Sequence, residues 1–202
     1  MLNNIFPVPL LISQLDYNCG GLSDEEGIKN INTTNTEYVP ESRFRILEKY
    51  PGIRLALTIK FNQLFLEAFG TKCDHIITTS WVTYQDPGDK PAKHHHKNCT
   101  WAGVWYFDEY DKTSGNIVFD NPLWDTLYAN MYSLGHIMSI AKPYGFTPTH
   151  NSLIFFPAQL HHQVQPVGKI RKSLAFNLME DFSKAPVTND STFKPEWLVD
   201  ND

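Results

Sequence analysis

The sequence predicts a mainly β fold braced by helices in its N-terminal third, and three observations carry that prediction. After Gly70 the chain breaks into short β-rich runs separated by turn residues, over 76–84, 101–107, 116–119, 152–156 and 172–178. Before Gly70, Leu57, Phe61, Leu64, Phe65 and Ala68 fall at i, i+4, i+7, i+8 and i+11, a single apolar stripe at helical spacing. The third is composition: 202 residues, 42% hydrophobic and 13% aromatic, suffice for one well-buried core, so residues 1–202 read as one domain.

Taken in order, residues 5–12 read as a strand punctuated by Pro7 and Pro9. It belongs at a sheet edge, because proline cannot donate to a ladder. Ser23-Asp-Glu-Glu26 has the capping-box spacing and opens a short helix. The stripe predicts a helix over 52–69, stopped by Gly70. These elements make up an N-terminal part, 1–75, supporting a β core over 76–182. Within the core, 121–150 is long, aromatic (Trp124, Tyr128, Tyr132, Tyr144, Phe146) and interrupted by Pro143 and Pro148. It reads as an insertion, either a lid or binding loop or a packed surface excursion. Residues 183–202 are polar, carry Pro186 and Pro195, and read as a loosely docked tail.

Composition also excludes function classes. A net charge of −5 with no block of Lys or Arg offers no footprint for a nucleic-acid backbone. Cys19, Cys73 and Cys99 are widely spaced with no CxxC among them, which indicates neither a disulfide framework nor a zinc ribbon and points to a reducing compartment. The N-terminus lacks a basic region, and no run approaches the roughly 20 apolar residues of a spanning helix. The chain therefore reads as cytoplasmic, with no membrane partner and with a homodimer left open.

Chemistry concentrates in two segments. In extended backbone alternate side chains share a face, so His94 and His96 present two imidazoles together while His95 points to the other side. His162 can supply a third, and three protein ligands with open positions suit a catalytic first-row metal. The alternative is a solvated basic turn. Nine residues after His162, enough for a strand, the Pro166-Val-Gly168 turn and a returning strand, stands Arg171. A fixed two-pronged guanidinium behind the metal would clamp a carboxylate, with Ser173 on the same face; a surface salt bridge is the plain alternative. His75, His136, His150 and His161 have no motif around them and read as structural.

The frame around these residues is Tyr84-Gln-Asp-Pro-Gly-Asp ahead of His94, Trp105-Tyr106-Phe107, Gly115-Asn-Ile-Val-Phe119, Leu153-Ile-Phe-Phe-Pro157, His162-Gln-Val164-Gln-Pro166-Val167 and Arg171-Lys-Ser173. It resembles the iron(II)/2-oxoglutarate-dependent oxygenases of the prolyl-hydroxylase-like branch, most closely the group found in phages and marine bacteria, over about residues 76–178. The resemblance implies a double-stranded β-helix, or jelly roll, and a dioxygenase that hydroxylates a protein side chain or small metabolite with release of succinate and CO2. It implies Fe(II) on His94, His96 and His162, and the 2-oxoglutarate co-substrate held by Arg171 and Ser173. Tyr84 and Tyr106 would add their hydroxyls, or serve as core residues. One position departs from the superfamily: His96 stands where most members carry Asp or Glu. If His96 is a bystander, the third position is open or is filled by Asp120. Two rival readings stay open, a three-histidine cupin-like dioxygenase that uses no 2-oxoglutarate, and a non-catalytic binding module on the same barrel.

Overall fold

A computed structural model describes residues 8–29, 39–123 and 142–184. Its core is two facing antiparallel sheets. The larger has strand order β1-β6-β3-β8-β2, and the smaller β5-β4-β7. The strands are β1 (Leu11–Gln14), β2 (His75–Gln85), β3 (Trp101–Trp105), β4 (Ile117–Phe119), β5 (Tyr144–Phe146), β6 (Ser152–Pro157), β7 (His162–Val164) and β8 (Arg171–Glu180). A bridge between His94 and His162 extends the smaller sheet past β7. Along the chain the elements therefore shuttle between the two sheets, as a double-stranded β-helix requires, and both sheets stay open rather than closing into a barrel.

Alternation on the central strands builds two cores from one sheet. Leu153 and Phe155 of β6, Leu174, Phe176 and Leu178 of β8, and Trp101 and Trp105 of β3 face helix α1 (Pro51–Phe69), which buries Ile53, Leu57 and Phe61 against them. Ala102, Tyr106, Ile154 and Phe156 face the other way and meet Ile117 and Phe119 of β4. Pro51 starts α1 where its missing N–H costs nothing, and Gly70 ends it at φ +66°. The predicted helix is thus found, except that Ala68, placed in the buried stripe, is exposed.

A bulge in β2 decides which residues reach the space between the sheets. Ile77 pairs with Leu178 but Thr79 with Asn177, so Thr78 is extra and the side-chain parity reverses. Ile77 packs toward α1, whereas Thr79, Trp81, Thr83 and Gln85 face the inter-sheet cavity. Arg54 of α1 donates to the Ile77 carbonyl at 2.8 Å, occupying the acceptor beside the bulge.

Other expectations need correction. The N-terminal strand lies at a sheet edge as expected but begins at Leu11, after the prolines. Ser23 caps nothing: it sits inside a 3-10 helix, Gly20–Asp24, which has no side-chain cap. In the stretch 121–150, Tyr144–Phe146 is β5, paired with β4 and part of the core. The rest of that insertion over 124–141 and the tail beyond Lys184 lie outside the described residues. Among the described residues no helix is long and apolar enough to cross a membrane.

Candidate active site

A cavity of about 360 Å³ lies between the sheets, and it is lined by His94, His96, His162, Tyr106, Arg171 and Ser173 among others. The three imidazoles each bring a ligand-capable atom within 4.8 Å of the other two. His94 and His162 meet through reciprocal backbone bonds of 3.0 and 2.9 Å, and the His96 amide donates to the Ala158 carbonyl at 2.8 Å. This short extended segment does what a full strand was expected to do.

Each imidazole has its Nδ1 committed. His94 Nδ1 lies 2.9 Å from the Ala92 carbonyl oxygen, His162 Nδ1 2.9 Å from that of Leu160, and His96 Nδ1 2.5 Å from Asn177 Oδ1. A proton on Nδ1 satisfies each acceptor and leaves the Nε2 lone pair free, the tautomer a metal needs. The Asn177 amide donates from its Nδ2 to Thr79 Oγ1 at 2.9 Å, which goes with its oxygen facing His96. Burial depresses all three histidines: His96 falls to about 4, His162 goes well below the usual imidazole range, and His94 is lowered as well. Three neutral imidazoles fit a divalent first-row cation such as iron(II).

His95 also borders the cavity but is not in the three-imidazole group: its Nδ1 lies 3.2 Å from His161 Nε2, so His161, read as motif-free, is that residue's partner. Asp120 is outside the cluster, in an ion pair of 2.6 Å with Lys93.

Away from the imidazoles the cavity holds a cation. Arg171 is 3% exposed, its guanidinium 5.3 Å from the Tyr106 ring and 5.6 Å from that of Tyr110. One terminal nitrogen donates to the Ser114 and Gly115 carbonyls at 3.2 and 3.3 Å. Its Nε and the Tyr106 hydroxyl are both buried with no hydrogen-bond partner among the described residues. Burial raises the Tyr106 pKa, so the phenol stays protonated and can donate. Orphaned buried donors of this kind are rare in folded proteins and fit an oxygen anion. Ser173 Oγ faces Thr83 Oγ1 at 2.7 Å. Tyr84 is placed differently: it lines the cavity, but its hydroxyl donates to Asp86 Oδ1 at 2.8 Å and its ring carries Lys29 at 5.0 Å.

Asn177, Gln85 and Tyr110 were not anticipated. Asn177 could have been found by counting alternate residues of β8 from Arg171 through Ser173 and Ala175, all of which line the cavity. Gln85, buried and directly opposite Arg171 across the strand pair, follows from the same register. Tyr110, whose hydroxyl donates to the Lys172 carbonyl, has no signal in the sequence.

Residues 79–177 match the family model described as "Putative 2OG-Fe(II) oxygenase". Over that segment, just under half of its length, the chain is similar to the 2OG-Fe(II) oxygenase family. The described strands β2 to β8 and all the residues predicted for the site fall within or at the margin of that segment. No curated protein matches the chain. Among solved structures, it is similar to a 2OG-Fe(II) oxygenase family oxidoreductase from Burkholderia pseudomallei, at 16% identity and TM-score 0.42 over 58% of this chain and 50% of that one. It is also similar to a Pseudomonas putida prolyl-4-hydroxylase, at 18% identity and TM-score 0.40 over 65% and 59%, and to a prolyl 4-hydroxylase from Phytophthora capsici, at 14% and 0.45 over 70% and 46%. The chain thus spans roughly half the length of the solved proteins it resembles.

Proposed function

We propose that this chain is an iron(II)- and 2-oxoglutarate-dependent dioxygenase that hydroxylates a protein side chain or small metabolite and releases succinate and CO2. The observation that carries the reading is the pair of unpartnered buried donors, Arg171 Nε and Tyr106 hydroxyl, in the same cavity as three neutral imidazoles. Together they suit a ligand with a metal-chelating end and a remote carboxylate.

In this reading His94, His96 and His162 hold iron(II) through Nε2. The metal and its 2-oxo acid supply the oxidising chemistry when bound. Arg171 clamps the far carboxylate with charge-assisted bonds, Tyr106 donates a further one, and Ser173 completes the cradle with its hydroxyl. Burial of these donors keeps water away from the anion and strengthens each contact. His96 in place of a carboxylate leaves the centre one charge more positive, and the neutral amide of Asn177 on its Nδ1 does not offset that. The free thiols of Cys19, Cys73 and Cys99 support a reducing, cytoplasmic setting.

The test is succinate release by protein loaded with Fe(II) without air, then given 2-oxoglutarate and oxygen, with and without candidate substrates. Succinate formed at one equivalent per 2-oxoglutarate supports the proposal. Oxygen uptake that needs no 2-oxoglutarate would instead select a three-histidine dioxygenase that binds its substrate directly, a reading favoured by a cluster that contains, among the described residues, three imidazoles and no carboxylate. Neither activity, with iron still bound, would leave a binding module.

A further inference from the structure

The other face of the larger sheet carries a second group of metal-binding side chains. His75 opens β2 and stands directly opposite Glu180, the last residue of β8, so both project from the same face. Cys73 precedes His75 by two residues. One ligand-capable atom from each of Cys73, His75 and Glu180 lies within 4.8 Å of the other two.

His75 is the residue that makes this more than a chance cluster. It is 1% exposed, with its ring against Phe61 at 4.7 Å and Phe65 at 4.9 Å, on the α1 side of the sheet and not in the inter-sheet cavity. Its Nδ1 lies 3.1 Å from the carbonyl oxygen of Cys73, two residues back. That contact repeats what His94 makes with Ala92 and His162 with Leu160. It puts the proton on Nδ1 and leaves Nε2 with a lone pair, and Nε2 is buried with no hydrogen-bond partner among the described residues. Burial lowers the pKa of His75 and raises that of the Cys73 thiol, while Glu180 and Asp74 place negative charge beside both. The group thus combines a buried neutral imidazole, a thiol and a carboxylate in a field that favours a cation.

We propose that Cys73, His75 and Glu180 form a second metal site, for Zn(II) or a similar borderline divalent ion, that pins the start of β2 to the end of β8 beneath α1. Sulfur, imidazole nitrogen and carboxylate oxygen are the three ligand types zinc takes. Ligands at about 2.0–2.3 Å in a tetrahedron stand about 3.3 to 3.8 Å apart, so closure from separations of up to 4.8 Å needs a shift of at most about 1.5 Å. Two of the three residues are only partly buried and can make that shift by rotamer change. On binding, the Cys73 thiol gives its proton to solvent as the sulfur–metal bond forms.

Co(II) separates this site from the three histidines, because only a sulfur donor gives a thiolate-to-cobalt charge-transfer band in the near ultraviolet. Anaerobic titration of metal-free, reduced protein should give two equivalents, one with that band and one without it. Cys73→Ser should lose the band and one equivalent. Glu180→Gln should keep it with at least tenfold weaker binding, and His94→Ala should leave it untouched. In the unmodified protein, Zn(II) should slow alkylation of Cys73 by iodoacetamide at least tenfold, mapped by mass spectrometry. A titration with no thiolate band, a band that survives Cys73→Ser, or an unchanged alkylation rate would each overturn the proposal. A missing sulfur-free equivalent would count against the three-histidine centre instead and leave this one standing.

Discussion

Arg171 and Asn177 lie six residues apart on one face of β8 and set the two ends of the cavity. If Arg171 clamps the remote carboxylate, Arg171→Ala should weaken 2-oxoglutarate binding by about 2 to 5 kcal/mol, the usual cost of removing one side of a buried charge pair. Calorimetry on Co(II)-loaded protein without oxygen measures it, and equal affinities in the two proteins would exclude the clamp. At the other end Asn177→Ala strips His96 of its Nδ1 acceptor, and metal affinity should fall about 10- to 100-fold. The larger loss belongs to His96→Ala. His95→Ala should cost almost nothing, since His95 pairs with His161, and His96→Asp should retain iron with one unit less charge. A greater loss at His95 than at His96 would reverse every face in this segment. Protonation follows the same geometry. His96 has a folded-state pKa of about 4, below its unfolded value, so it adds stability above about pH 6.5 that drains away as pH falls toward 4. The metal-free protein should therefore lose thermal stability between pH 6.5 and 4.5 more steeply than His96→Gln. Parallel melting curves for the two would contradict that. The imidazoles and Arg171 were legible in the sequence because their chemistry is written in residue type and spacing. Asn177 was not, since an amide earns its role only from the register that brings it to His96.

Among the elements, the bulge at Thr78 and the glycine at 103 explain what a sequence pattern leaves out. Period-two reading puts Ile77 and Thr79 on one face. The extra residue separates them, and this is how Thr79 comes to hold Asn177. No residue type announces the bulge; it is set by pairing with β8. The long strands were legible because their apolar and β-branched runs exceed a few residues, whereas β5, with three residues and exposed Tyr144 and Gly145, carries too little pattern to stand out. Ser23 shows the reverse error: capping-box spacing was present, but the chain already turns in a 3-10 helix there. Gly103, at the centre of β3, lets two rings cross the strand. A Cβ there would stand 2.5 Å from Phe176 and 2.9 Å from Phe155. Both rings are fully buried and cannot withdraw, so Gly103→Ala should destabilise the protein by about 1 to 3 kcal/mol. Urea denaturation would register this as a lower midpoint at unchanged slope, and an unshifted midpoint would mean that the core yields there.

Across the whole molecule the candidate centre joins parts that backbone pairing holds only loosely. The smaller sheet has strands of three residues, and its outer member is the single bridge between His94 and His162. The larger sheet is tied by long ladders and by α1, and its β1–β6 edge lies far in pairing order from β2 and β8. A cation on three imidazoles would therefore stabilise the molecule unevenly, by converting one bridge into a covalently coordinated clasp between the segment after β2 and the start of β7. Native-state hydrogen exchange can detect that unevenness, since amides that open locally respond to whatever suppresses the local opening. In the Cys73→Ser protein, which lacks the second proposed site, adding Zn(II) as an inert stand-in should slow exchange at the amides of His94, His96 and His162, which donate to His162, Ala158 and His94. Exchange in the β1–β6 pair, governed by its own ladder, should change little by comparison. Uniform slowing across both sheets would indicate instead that these amides exchange only through global unfolding, and that the clasp adds nothing the two sheets lack without it.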